Sequence, residues 1–262
     1  MSQPAPNTDS PIRVRHKGHI ARVSFNEPER YNPLRADVIA ALHNALDTIA
    51  DDDNVRVVII DAEGKAFCAG HDLREIRSME DRDAHQALFD RCSAFMQRVV
   101  SLPQPVIAQV QGIATAAGCQ LVATADLAVA GRSARFATSG INLGLFCSTP
   151  AVAVSRVVPR KNALEMLFTG DFVEADEAAR LGLVNRVVDD DQLAATTTEM
   201  AEKIAAKPPE AIQAGKALFY RQSGKDLAAA YDDASETMAC NMDTDAAREG
   251  VDAFLEKRKP QW

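Results

Sequence analysis

Apolar and polar positions divide the first part of the chain into strands and helices. Residues 12–15 and 19–25 flank the turn Lys17-Gly18 as two strands, the second ending at Asn26-Glu27-Pro28. Val38, Leu42, Leu46 and Ile49 then recur at helical spacing until the polar run 51–54 breaks the pattern. Residues 55–60 read as a buried strand and 63–72 as a glycine-containing loop. Residues 84–100 read as a helix stopped by Leu102-Pro103-Gln104-Pro105. A strand at 106–110 leads to a loop of small residues, 111–118, which opens the apolar segment 119–125, and 126–130 is strand again. Strand, loop, helix and strand thus recur in order, which predicts an α/β fold.

From Thr149 the pattern is mostly helical. Helices are expected around 151–158, 162–169 and 175–181, with one short strand at 183–188. Residues 192–259 read as helices, one opening at Pro208-Pro209 and two others separated by Ser223-Gly224. The expected division is a disordered tail at 1–10, an α/β core at 11–200 and a helical region at 201–262. Ile212, Ala217, Leu218, Phe219, Leu227, Tyr231 and Met238 give that last region more apolar surface than a small appendage can bury on itself. It is therefore expected to pack on a neighbouring subunit.

Composition narrows the function classes. The 262 residues are 47% hydrophobic and 25% charged, which is ordinary for a globular chain, and the net charge of −8 argues against a nucleic-acid partner. Five cysteines form no Cys-x-x-Cys pair, so neither a zinc knuckle nor a disulfide framework is expected, and a reducing compartment fits. The first ten residues lack the pattern of a signal or transit peptide, and no apolar run approaches the ~18 residues of a membrane helix. These readings predict a cytoplasmic protein without a membrane partner. Without a metal-ligand cluster or a Gly-x-Gly-x-x-Gly fingerprint, no metal and no redox cofactor are expected.

Candidate chemistry lies in two loops of small residues, each at the start of an expected helix: residues 67–73 (Phe-Cys-Ala-Gly-His-Asp-Leu) and 112–120 (Gly-Ile-Ala-Thr-Ala-Ala-Gly-Cys-Gln). Small side chains let a ligand approach the backbone, and free N–H groups at a helix start suit negative charge on oxygen. Together they form a candidate two-donor oxyanion hole.

Residues 63–73, with Lys-Ala-Phe leading to Ala-Gly-His-Asp-Leu, resemble the signature of the crotonase, or enoyl-CoA hydratase/isomerase, superfamily. The second loop is similar to the family's glycine-rich helix start. Pro28, Asn32 and Leu34 match its CoA-binding loop, with Pro33 in place of the usual alanine, and landmarks continue to residues 254–258. The wording of 112–120 and 146–150 is similar to a subgroup called enoyl-CoA hydratase domain-containing proteins.

The resemblance implies a crotonase-like (ClpP/crotonase) spiral of ββα turns, a C-terminal helical trimerisation region, and a homotrimer or a hexamer built as a dimer of trimers. It implies an acyl-CoA ligand, with coenzyme A present only as part of the substrate. By position, the amides of His71 and Ala117 would hold the thioester oxygen. Glu29, Arg30, Tyr31, Ala69, Asp72 and Leu73 would contact CoA, Thr115, Ala116 and Ser139 would lie near the acyl end, and Phe254 and Lys257 would reach CoA from a neighbouring subunit.

The sequence departs from the family's hydratases at both catalytic glutamates. Their positions hold Gln120 and Gly140, and an amide cannot act as a base near neutral pH. Hydratase or isomerase activity is therefore expected to be weak or absent, and Gln120→Glu with Gly140→Glu to raise it. Three readings stay open: an altered hydratase/isomerase, an acyl-CoA decarboxylase or thioesterase, and a non-catalytic acyl-CoA-binding protein.

Overall fold

The computed structural model describes residues 10–262. Of the expected tail, all but Ser10 lies outside the described residues; the Ser10 carbonyl accepts from Asn26 Nδ2 at 2.9 Å.

A hairpin of β1 (Ile12–Lys17) and β2 (Ile20–Phe25) is followed by helix α1 (Ala36–Ala50). The chain then repeats one pattern. β3 (Val57–Ala62) and β4 (Ala66–Cys68) precede α2 (Leu73–Ser78) and α3 (Arg82–Ser101). β5 (Val106–Val110) and β6 (Ile113–Thr115) precede α4 (Ala117–Thr124), and β7 (Leu127–Gly131) and β8 (Arg135–Ala137) precede α5 (Ser148–Val157). Each turn contributes one strand to each of two sheets and then a helix. This is the crotonase-like spiral of ββα turns.

The first sheet has the order β1-β2-β3-β5-β7, closed at its far edge by β10 (Arg186–Val188), and every pairing except β1–β2 is parallel. Parallel strands are covered on both faces, so β3 and β5 read as unbroken apolar runs. Val58, Ile60, Val106 and Ala108 face the main core with α1 and α3. Val57, Ile59, Ile107 and Val129 face the other way, under Leu193, Met200 and Ala201 of α8 (Leu193–Ala205). Helix α8 straddles the boundary at residue 200 and packs whole against the sheet.

The second sheet, β4-β6-β8 with β9 (Val173–Glu174) at its edge, stands where the sequence pattern shows only loops. Its strands are three residues or fewer, too short for an alternating pattern to register. Helices α6 (Arg160–Thr169) and α7 (Ala175–Arg180) flank β9.

The chain ends in α9 (Pro209–Gln222), α10 (Leu227–Met242) and α11 (Asp245–Leu255), which among them bury only Ala253. Helix α9 is fixed to the core by one buried group. Lys216 Nζ, on a side chain only 7% exposed, donates to the carbonyls of Val99 (3.1 Å) and Gln104 (3.0 Å) and to Asp126 Oδ2 (2.7 Å). Asp126 also accepts from Tyr220 Oη at 2.8 Å and from the Val106 amide at 2.7 Å. Among the described residues, no helix is long and apolar enough to cross a membrane.

Candidate active site

Strands β4, β6 and β8 run parallel in adjacent register, so the loops that follow them leave the sheet at the same end. Ligands of parallel sheets bind at this carboxyl end. Residues 69–72, 116–117 and 138–140 are brought together there.

The first loop is held by the segment before α1. Ala69 N donates to the Tyr31 carbonyl at 3.0 Å and Leu34 N to the Gly70 carbonyl at 2.8 Å. Buried Asn32 fixes that segment: its Oδ1 accepts from Glu27 N at 2.9 Å, and its Nδ2 donates to the Glu63 (3.0 Å) and Ala66 (2.8 Å) carbonyls. Arg30 reaches Asp72 at 2.5 Å, while Asp72 Oδ1 caps α2 by accepting from Arg74 N at 2.8 Å. Tyr31 with Ala69 and Arg30 with Asp72 are thus joined across the two segments, and Glu29 and Leu73 adjoin them in the chain, with Tyr31 and Leu73 about half exposed.

Gly70 joins the first loop to the second. Its φ is +86°, and a Cβ there would stand 3.0 Å from the Ala116 Cβ and 3.3 Å from the Ala117 nitrogen. Only glycine combines that backbone with that approach. Ala116 takes φ +49° and ψ −116°, a conformation costing an L-residue about 1–3 kcal/mol. It turns the chain into α4, whose first residue, Ala117, carries an N–H without an intrahelical acceptor. The His71 and Ala117 amides therefore belong to loops in van der Waals contact.

Apart from the Arg30–Asp72 ion pair, the side chains described at this end are uncharged. His71 Nδ1–H donates to the Leu34 carbonyl at 3.0 Å, the ring meets Phe89 edge-on at 5.5 Å, and Nε2 is buried without a partner. Burial holds the imidazole below its ordinary value of 6.5, so it is neutral at pH 7. Thr115 and Ser139 hydroxyls bond each other at 2.7 Å. Thr138 donates to the Met166 carbonyl at 2.7 Å. Gln120 lies one turn beyond Ala117, is 4% exposed, and its Oε1 has no hydrogen-bond partner. Burial pushes the Cys68, Cys92 and Cys119 thiols up to about 12, and the Cys147 thiol up as well, so none is a ready nucleophile. Phe254 and Lys257, at the end of α11, are exposed and make no hydrogen bond to the loops.

Gly140, where the sequence resemblance implies the second glutamate of the family's hydratases, has no room for a side chain. The turn at Ser139–Leu143 folds back so that Leu145 N donates to the Gly140 carbonyl at 3.0 Å. A Cβ on Gly140 would lie 2.7 Å from the Leu145 carbonyl oxygen and 2.8 Å from Cys147 Sγ. Simple restoration of a carboxylate at 140, expected from the sequence to help, meets this contact.

The family model for enoyl-CoA hydratase/isomerase matches residues 15–262. The chain belongs to the enoyl-CoA hydratase/isomerase family. It is an acyl-CoA-binding protein of that family. A crystal structure of an enoyl-CoA hydratase from Mycobacterium smegmatis is 55% identical, with TM-score 0.95 over 96% of this chain and 98% of that one. The human enoyl coenzyme A hydratase domain-containing protein 3 structure is 44% identical, with TM-score 0.94 over 96% and 100%. The rat mitochondrial enoyl-CoA hydratase domain-containing protein 3 is 45% identical over 249 residues, 95% of this chain and 83% of that protein.

That rat protein and four further relatives of the same name are named mitochondrial, which overturns the cytoplasmic expectation. The expectation failed because unpaired cysteines report a reducing environment without saying which one.

Proposed function

We propose that the protein is a fatty-acyl-CoA enzyme of the hydratase/isomerase family that holds the thioester oxygen between the His71 and Ala117 amides, with proton chemistry that uses no carboxylate pair. The observation that carries this reading is the contact at Gly70, whose Cβ position is 3.3 Å from the Ala117 nitrogen. It supports the reading by bringing the loops that carry the two amides against each other, with Ala117 at the positive end of α4. Negative charge growing on the thioester oxygen as an enolate forms is stabilised there. The groups beside it are the Gln120 amide, the Thr115 and Ser139 hydroxyls and the backbone of Ala116, which orient an acyl group and cannot deprotonate water. Glu29, Arg30, Tyr31, Ala69, Asp72 and Leu73 provide the surface along which CoA lies.

The test is the infrared carbonyl stretch of bound butyryl-CoA carrying a ¹³C label at the thioester carbon. Saturable binding with the band moved to lower frequency is expected. A bound ligand whose band matches free butyryl-CoA rejects the two-amide site.

In this proposal Phe254 and Lys257 reach CoA from a neighbouring subunit, and residues 201–262 form the oligomerisation region of a trimer or a dimer of trimers. Support comes from Phe219, Leu227, Tyr231, Met238, Phe254 and Leu255, each at least 63% exposed on the last three helices. Light scattering is expected to give a mass three or six times the 28.3 kDa chain. A clean monomer at micromolar concentration excludes it.

A further inference from the structure

Helix α11 carries Phe254 and ends beside Lys257, yet it buries only Ala253. Isolated helices shorter than about 12–15 residues are marginal in water. Helix α11 has 11, so its placement within its own subunit has to come from contacts outside the helix. We propose that residues 258–262 are a clasp that positions Phe254 and Lys257 toward the CoA of a neighbouring subunit, with Glu249, Arg258 and Trp262 as its positioning residues. The inference rests on the placement of Phe254 and Lys257 in the proposed function.

The clasp begins with a reversal of the chain. Lys257 N donates to the Phe254 carbonyl at 3.2 Å and Arg258 N to the Ala253 carbonyl at 3.0 Å, the two bonds of a Schellman closure. Lys257 takes its left-handed position, with φ +58°, where glycine is usual. A long cationic side chain thus stands where the turn itself favours none. Beyond the turn the chain runs back along α11. Arg258 reaches Glu249, nine residues back, with Nη1 at 2.6 Å and Nη2 at 2.8 Å, a bidentate fork. Glu249 also accepts from Gln261 N at 2.7 Å. One carboxylate therefore holds the segment on both sides, and the turn it closes is the one from which Lys257 projects.

Trp262 fastens this segment to the core. Its indole N–H donates to the Ala206 carbonyl at 2.9 Å, at the end of α8, where the final carbonyls of a helix lack intrahelical donors. Among the described residues, this is the only hydrogen bond from residues 245–262 to any residue before Asn241. The same end of α8 is tied to the start of β3 by Arg56, whose Nη1 donates to the Ala205 carbonyl at 3.0 Å. The indole also meets α11. Trp262 Cζ3 is 3.4 Å from the Cβ position of Gly250, which stands one turn before Phe254. A single side chain thus joins α11 to α8, and Glu249 and Arg258 hold that side chain's segment in place.

The experiment compares, on the intact oligomer, calorimetric dissociation constants for butyryl-CoA and for butyryl-pantetheine, which lacks the nucleotide and its phosphates. Trp262→Ala and Glu249→Ala are each expected to weaken butyryl-CoA about threefold to tenfold and to leave butyryl-pantetheine within about twofold of wild type. Phe254→Ala with Lys257→Ala is expected to show the same split, and adding Trp262→Ala to that pair no further loss, because the clasp acts through those two residues. Equal weakening of both ligands by the clasp variants would mean a general structural role and overturns the inference. A wild-type ratio in both clasp variants, with the split still present in Phe254→Ala with Lys257→Ala, overturns the inference alone and leaves the proposed function standing. No split in that pair overturns the neighbour contact of the proposed function, and the inference with it. Should Trp262→Ala lower the mass by light scattering, Trp262→Phe, which keeps a ring beside Gly250 and loses the indole donor, and Glu249→Gln decide by the same ratio. Failure of both ligands to bind the wild type overturns the proposed function and the inference together.

Discussion

With crotonyl-CoA as substrate, the wild-type protein is expected to hydrate more slowly than about 10⁻² s⁻¹, against roughly 10 s⁻¹ for an ordinary enzyme. In the proposed function Gln120 and Gly140 stand in place of two carboxylates, each worth about 10²–10⁴ as a general acid or base, and groups that act as a unit do not add. Gln120→Glu is expected to recover about tenfold or more, because the new carboxyl is buried beside Ala117, where burial raises its pKa toward the working range. Gly140→Glu is expected to add nothing. Its Cβ falls within 2.8 Å of both the Leu145 carbonyl oxygen and Cys147 Sγ, and such overpacking costs about 1–3 kcal/mol of stability. Steady-state hydration of the wild type, both single variants and the double variant separates these outcomes. Wild-type turnover near 10 s⁻¹ would move the base to His71 Nε2, an unpartnered and neutral imidazole nitrogen.

The strands β2, β3, β5 and β7 of the first sheet were legible because each is five or six residues long and largely buried, and the apolar runs at β3 and β5 carry their own signal. The second sheet was not, because Ala66–Cys68, Ile113–Thr115 and Arg135–Ala137 become strands only through partners 20 or more residues away. That sheet aligns the site. Its loops were found from composition, and the end at which they converge was not. A signal was present: three short segments, Ala-Phe-Cys, Ile-Ala-Thr and Arg-Phe-Ala, each followed by small residues. At Gly140 the sequence shows only a missing side chain, whereas the structure shows why: no positive φ, but a crowded Cβ position. Cys147, seven residues on, supplies the crowding only after the turn at Ser139–Leu143 reverses the chain. The positive φ of Ala116 had no signal, since alanine avoids that region and only the surrounding fold enforces it.

Asp126→Ala is expected to cost about 3–5 kcal/mol of unfolding free energy, the range for removing one partner of a buried ion pair. The carboxylate is 15% exposed and meets four demands at once: the Lys216 charge, the Lys216 hydrogen bond, the Tyr220 hydroxyl and the Val106 amide. Alanine leaves an ammonium in a site where burial already pulls the lysine pKa below its ordinary 10.5. Two carbonyls, Val99 and Gln104, would remain to solvate it. The double variant Asp126→Ala with Lys216→Met removes that stranded charge, so it is expected to be at least about 1 kcal/mol more stable than Asp126→Ala alone. Urea unfolding at one fixed protein concentration measures both, since assembly makes the midpoint depend on concentration. A loss below about 1 kcal/mol in Asp126→Ala would show that water replaces the carboxylate, with α9 held by its other contacts. Where the full loss is found, helix α9 is fixed to the core through the turn between α4 and β7.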